Sequence, residues 1–304
     1  MQKYEISCDN QKILENCCTF AVALRYFMEE LKFFHIDVQE IINTKAPKTA
    51  KKIPKFIVKG LAKLINQDGL NKFLTYNGGA QGVDFMNTAV KYFDINLQVI
   101  GDKNLPDIGT KCIFASNHPL GGMDGVCLSA YLGNKYNGQI KYLVNDILYF
   151  IKPLQNIFVP INKHGAQGRL ATRIINDVLL SDDQIITFPA GLCSRKNKGA
   201  IGDLEWKKMF IVKAIEYKRT IVPVHFEGKN SNLFYNLANI RKNLGVKFNL
   251  EMLLLPRELF RAKGSTFTIR FGKPIPWQTF DSSKTPQQWA NWVKQMVYDI
   301  VRNT

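Results

Sequence analysis

The stretch Cys112-Ile113-Phe114-Ala115-Ser116-Asn117-His118-Pro119-Leu120-Gly121-Gly122-Met123-Asp124-Gly125 runs from a continuous apolar segment into a polar turn with two adjacent glycines. Four or five apolar residues in a row, without polar alternation, fit a strand buried on both faces, as in the sheets of α/β proteins. The turn at 119–124 leads into an amphipathic pattern over 125–132, which predicts a helix. Working outward, similar β-rich runs occur at 95–100, 142–144, 157–161, 185–188, 221–226 and 267–271, and helical periodicity occupies 169–180 and 204–217. This alternation predicts an α/β domain: a mostly parallel or mixed central sheet of about seven strands flanked by helices.

The flanks of this region differ in character. The last helix is announced by Thr285-Pro286-Gln287-Gln288, which supplies an N-cap, a proline at the first helical position and a capping-box glutamine. It then presents Trp289, Trp292, Val293, Met296, Val297 and Ile300 to a core. At the other end, residues 1–36 read as a helical N-terminal extension, an appendage to the domain expected over 37–304. Between them, 43–63 carries seven lysines and no acidic residue. Over 50–66 the apolar residues recur at helical spacing while Lys55, Lys59 and Lys63 follow at i, i+4 and i+8, with Phe56 beside them. Such a helix suits either a protein core with a solvated lysine face or an anionic lipid surface.

Composition narrows the classes. The 304 residues are 46% apolar, enough for a sizeable core, and 41 Lys and Arg against 25 Asp and Glu give a net charge of +16. That charge fits nucleic acid, anionic lipid or an acidic protein as partner. Interleaved basic and aromatic motifs and zinc-finger spacing are both missing, which argues against nucleic acid. The six cysteines show no metal-type pairing, and the start at Met1 has no signal-peptide pattern, so a reducing cytoplasm is expected. The longest apolar stretches, such as 17–28, fall short of the ~20 residues a membrane span needs, so any membrane contact is expected to be peripheral.

Two stretches carry residues suited to chemistry. His118 sits just past the apolar run at 112–115, where ligands collect in open α/β sheets. A nearby carboxylate can hold one imidazole nitrogen and leave the other free to take a proton. Asp124 is placed for this, and equally for capping the following helix. The second stretch is Phe188-Pro189-Ala190-Gly191-Leu192-Cys193-Ser194-Arg195, where another run ends at a glycine that permits close backbone approach, followed by a fixed fork of donors. It reads as a solvated strand-turn or as an oxyanion or headgroup site. Gly-x-Ser-x-Gly and the Gly-x-x-x-x-Gly-Lys phosphate loop are both missing. His164 and His225 lack partners at metal-ligand spacing, so no metal and no cofactor is expected.

Taken in order, Asn117-His118-Pro119 followed by Asp124, then Phe188-Pro189-Ala190-Gly191 with Ser194-Arg195, then Ile221-Val222-Pro223-Val224, resemble the motif blocks of the glycerolipid acyltransferase superfamily. The resemblance is strongest to the branch labelled hemolysin-like, with its ornithine-lipid and glycine-lipid O-acyltransferases, and it covers the chain from about residue 38 onward. It implies His118 as general base and Asp124 as its orienting partner, and it raises the membrane reading of the lysine-rich helix, giving Lys55, Phe56, Lys59 and Lys63 as membrane-binding residues. It also implies substrate contacts at Asn117, Pro119, Gly121, Gly122, Lys163, Phe188, Pro189, Ala190, Gly191, Ser194 and Arg195. The co-substrate would be acyl carrier protein or acyl-CoA, the acceptor a lysolipid, and the place of work the cytoplasmic face of an anionic membrane.

The departures from the superfamily pattern carry information. Five residues rather than four separate His118 from Asp124, and Gly121-Gly122 can absorb the extra one. The second block ends in Asn162-Lys163 where an arginine is usual, and the third has Ala190 and Cys193 in place of the Glu and Arg of lysophosphatidic acid acyltransferases. An amino-acid lipid is therefore expected over lysophosphatidic acid. A 1-acylglycerol-3-phosphate acyltransferase, an esterase using the same His-Asp pair on water, and a basic nucleic-acid-binding protein are the rival readings.

Overall fold

The computed structural model describes residues 36–45, 53–144, 148, 151–160, 166–197, 199–245 and 249–302. The expected extension at 1–36 lies, apart from residue 36, outside them. The described chain opens with four helices, α1 (Val38–Lys45), α2 (Lys55–Leu64), α3 (Gln67–Asn77) and α4 (Gly82–Tyr92). Then β1 (Asn96–Ile100), β2 (Cys112–Ser116), α5 (Met123–Lys135), β3 (Ile140–Val144), β4 (Phe158–Pro160), α6 (Ala166–Leu180) and β5 (Gln184–Thr187) alternate. A hairpin, β6 (Arg195–Asn197) and β7 (Ala200–Gly202), precedes α7 (Met209–Glu216) and β8 (Thr220–Phe226). Helices α8 (Asn232–Asn243) and α9 (Leu255–Arg261), then β9 (Thr266–Phe271) and α10 (Pro286–Asp299), complete it.

The seven runs read as strands form one sheet in the order β1-β9-β8-β2-β5-β3-β4. Every pairing is parallel except β8 with β9, so the sheet is mixed and mostly parallel, as expected. Strand β2 lies at its centre, and all five of its residues are buried. Its side chains alternate between two cores. Phe114 joins Phe85 and Met86 of α4 and Leu128 of α5, while Ile113 and Ala115 join Ile211 of α7 and Val293 and Val297 of α10. Helices on both faces explain why the strands carry continuous apolar runs. The capping box of α10 is formed as read, with the Thr285 side chain accepting from Gln288 N–H.

The helix expected over 204–217 is shorter, Met209–Glu216. Trp206 is fully buried and its indole N–H donates to Asp203 at 2.9 Å, which anchors the residues before α7 as a loop. The helix expected from residue 125 starts at Met123. The lysine-bearing helix begins after Pro54, and its flank at 46–52 lies outside the described residues. At the start of the central strands, fully buried Arg219 donates to the carbonyls of Leu179, Ser181, Asp183 and Cys112, satisfying groups that the end of α6 would otherwise leave bare.

Candidate active site

Because β2 runs parallel to both its neighbours, β5 and β8, the carboxyl ends of all three strands meet at one edge, where the chain leaves the sheet and its backbone groups become available. His118 stands two residues beyond β2. Its backbone is pinned on both sides: its carbonyl accepts from Ser194 N–H at 2.7 Å, and its N–H donates to Asp203 Oδ1 at 3.2 Å. Just before it, Asn117 is 3% exposed and spends both ends of its amide on Phe226 of β8, donating to its carbonyl at 3.0 Å and accepting from its N–H at 2.7 Å. Asn117 thus ties the site to the sheet through its side chain.

Asp124, the second residue of α5, is fully buried and reaches back to the imidazole, with Oδ2 2.9 Å from His118 Nδ1. The same carboxylate accepts from the N–H groups of Leu120, Gly121 and Gly125 at 2.9, 3.2 and 2.9 Å. Orienting the histidine and satisfying helix-entry donors are therefore one arrangement. Burial alone would raise the Asp124 pKa, but the adjacent His118 and the N–H donors outweigh it and hold it below 3.8. With Nδ1 on the carboxylate, Nε2 is the nitrogen left to take a proton, and the His118 side chain retains 16% exposure. The extra residue between the two is absorbed at Gly121, where φ is +75° and a Cβ would come within 3.0 Å of Leu255 and Cys193.

Strand β5 contributes the wall. Phe188, immediately after it, stacks on the imidazole with ring centroids 3.8 Å apart and planes 17° from parallel. Tyr142 of β3 packs against Phe188 at 5.8 Å and donates to Gly125 O at 3.3 Å. Burial and the neighbouring Asp124 push its phenol well above the ordinary value, so it stays neutral. Phe188 to Gly191 form a tight turn in which Gly191 N–H donates to Phe188 O at 2.9 Å. That N–H, expected as an oxyanion donor, is bonded within the turn here. Pro189 and Ala190 are buried beneath it, Pro119 is buried beside His118, and Gly122 precedes α5.

The third block departs most from expectation. Arg195 is the first residue of β6, and its guanidinium donates to Glu251 Oε1 at 2.7 Å and to Cys193 O at 2.7 Å. Arg241 of α8 holds the other oxygen of Glu251 at 2.8 Å, and Glu251 is fully buried. Arg195, expected as a headgroup contact, is engaged within the protein here, and the pair clamps the hairpin to the one-turn helix Leu250–Leu254. Ser194 is likewise buried, donating to Asp203 Oδ1 at 2.6 Å. Lys163 lies outside the described residues. Lys55, Phe56, Lys59 and Lys63 sit on α2, where the three lysines are exposed, Phe56 is 74% exposed and Val58 is buried.

Sequence reasoning missed Asp203. It ties together His118 N–H, the Ser194 hydroxyl and the Trp206 indole, and its own N–H donates to the Tyr298 hydroxyl at 2.8 Å. Trp206 of the Asp-x-x-Trp spacing falls inside the helix expected over 204–217, with Asp203 one residue before it. Lys207, whose N–H donates to Pro189 O at 3.0 Å, was missed for the same reason. Asn230 donates to the carbonyls of Pro119 and Leu120 behind the histidine turn, and it also lines a cavity of about 350 Å³ with Lys196, Lys229, Ser231 and Arg261. Among the described residues, no group of three or more His, Cys, Asp or Glu is arranged to hold a metal, and no helix is long and apolar enough to cross a membrane.

The sequence has relatives among known proteins. A family profile described as Acyltransferase matches residues 40–304. A lyso-glycine lipid O-acyltransferase of Bacteroides thetaiotaomicron is 52% identical over 273 residues, covering 90% of this chain and 100% of that protein. One of the same name from Phocaeicola vulgatus is 50% identical, over 90% of this chain and 98% of that protein. The crystal structure of the 1-acyl-sn-glycerophosphate (LPA) acyltransferase PlsC from Thermotoga maritima superposes with a TM-score of 0.46 at 16% identity, covering 72% of this chain and 78% of that one.

Proposed function

Because this chain belongs to the Acyltransferase family, we propose that it moves a fatty acyl group from a thioester onto the hydroxyl of a lyso-glycine lipid, completing a diacylated amino-acid lipid. The observation that carries the chemistry is the 2.9 Å bond from His118 Nδ1 to buried Asp124, which leaves Nε2 of a partly exposed imidazole as the base. Nε2 takes the acceptor's hydroxyl proton as the oxygen attacks the thioester carbonyl. The resulting imidazolium is stabilised by Asp124, collapse of the tetrahedral adduct breaks the C–S bond, and the thiolate takes the proton back from Nε2. The stacked Phe188 ring and neutral Tyr142 keep the imidazole oriented and its wall apolar. No covalent enzyme intermediate is required.

The two relatives' names support glycine as the amino acid over ornithine. The donor is an acyl carrier protein or coenzyme A thioester. Lys196, Lys229 and Arg261 around the 350 Å³ cavity support an anionic carrier. The exposed lysines and Phe56 of α2 support peripheral work at an anionic membrane, on the cytoplasmic face. The test is direct. Purified protein receives acyl carrier protein or coenzyme A thioesters with monoacylated glycine lipid, its ornithine counterpart or lysophosphatidic acid. Turnover should be fastest with the glycine lipid; preference for lysophosphatidic acid would overturn the acceptor, and equal thioester loss without any acceptor would make the protein a hydrolase.

A further inference from the structure

A carboxylate-bearing acceptor needs a cation beside the reacting hydroxyl, and the third-block arginine is unavailable: Arg195 is bound to Glu251 and to Cys193 O. We propose that Lys207 is the specificity-determining cation, its ammonium meeting the acceptor's anionic headgroup above the Phe188–Gly191 turn. This rests on the acceptor reading above. Four observations place it there. The Lys207 N–H is fixed to Pro189 O at 3.0 Å, so its backbone belongs to the same turn. The preceding Trp206 is fully buried and held by Asp203, the residue that also holds the His118 N–H, so Lys207 springs from an anchored point. Its Nζ lies over Gly191, 3.1 Å from where a Cβ would stand, an approach any larger residue at 191 would crowd. The first residue of that turn, Phe188, is stacked on the imidazole.

Lys207 is exposed, and among the described residues its ammonium enters no ion pair, so its charge is unspent. A lysine here presents one compact, hydrated point charge, suited to a single carboxylate. A phosphate monoester favours a bidentate guanidinium, and the arginine that follows this turn is occupied. The glycine at 191, with φ +71°, has a further use in this arrangement: it removes the side chain that would separate the ammonium from the turn.

The experiment compares the monoacylated glycine lipid with its methyl ester, which keeps the hydroxyl and removes the charge. Wild type should show the lower KM for the free acid. Lys207→Gln should raise that KM roughly five- to tenfold, the range for a partly solvated ionic contact, while leaving kcat and the methyl-ester KM nearly unchanged. Lys207→Arg should restore most of the discrimination, and Lys208→Gln, one residue along and equally exposed, should leave the ratio untouched. Equal effects of Lys207→Gln on acid and ester, or no effect on either, would overturn the assignment. Repeating the series with lysophosphatidic acid separates the two claims: if wild type prefers that acceptor, the glycine reading fails, yet Lys207 stands if its loss still raises the KM. Activity of wild type on none of the three would remove both.

Discussion

Two ionic arrangements lie at the carboxyl edge of the same sheet, and they are used in opposite ways. In the first, Asp124 is buried and its partner His118 keeps 16% of its side chain open, with one ring nitrogen committed and one not. In the second, Glu251 is buried between Arg195 and Arg241, and both guanidinium groups point inward at 13% and 15% side-chain exposure. Both involve a buried carboxylate gripping a nitrogen donor. What distinguishes chemistry from scaffold is whether an unspent proton acceptor reaches the opening. The arginine pair closes on itself, and breaking such a buried pair leaves uncompensated charge, which costs about 3–5 kcal/mol.

The comparison can be broken from either side. The largest effect is expected from His118→Ala, which should lower acyl transfer by roughly 10²- to 10⁴-fold while the far-ultraviolet spectrum and melting curve stay near wild type, since the residue lies beyond the strand. A folded variant with full turnover would remove His118 from the mechanism. Asp124→Asn should cost nearly as much turnover, because an amide cannot stabilise the imidazolium and selects the wrong tautomer.

Asp124→Asn also makes a pH prediction. The folded Asp124 pKa lies below the unfolded one, so the stability it contributes is complete above about pH 4 and is lost as pH falls through the folded value. The stability gap between wild type and variant, from denaturant melts, should therefore narrow as the pH is taken down from 5. A gap independent of pH would mean that Asp124 acts by shape alone.

Glu251→Gln should do the reverse of His118→Ala. The melting temperature should fall by several degrees as two guanidinium groups lose their counter-charge, while turnover per folded molecule changes little. Loss of turnover without loss of stability would move this cluster into the chemistry. The last effect concerns α2: replacing Lys55, Lys59 and Lys63 with Gln should weaken binding to anionic vesicles roughly fivefold per lysine at low salt, with no change in melting. Unchanged co-sedimentation would leave α2 as an ordinary packing helix.

Legibility differed sharply between these regions. The seven strands could be read because a strand covered on both faces must be apolar along its length, and Phe114, Ile113 and Ala115 are divided between two cores as that rule requires. His118 and Asp124 could be read because both belong to one short turn, where local chain geometry dictates who can touch whom. The β6–β7 hairpin was missed: Arg195-Lys196-Asn197 has no apolar pattern, and its pairing with Ala200–Gly202 is fixed by a turn and by distant Glu251.

Chain order and side-chain type by themselves therefore determined the α/β class, the central strand, the capped last helix and the pairing of His118 with Asp124. Tertiary structure alone decided which polar residues remain free to act. Asn117, Ser194 and Arg195 carry groups suited to a substrate, yet their partners Phe226, Asp203 and Glu251 come from 109, 9 and 56 positions away and consume those groups inside the protein. The physical reason is that a polar group leaving water must be paired, and which partner arrives is settled by how the whole chain packs. Lys207 escaped that pairing by standing at the surface of an anchored loop.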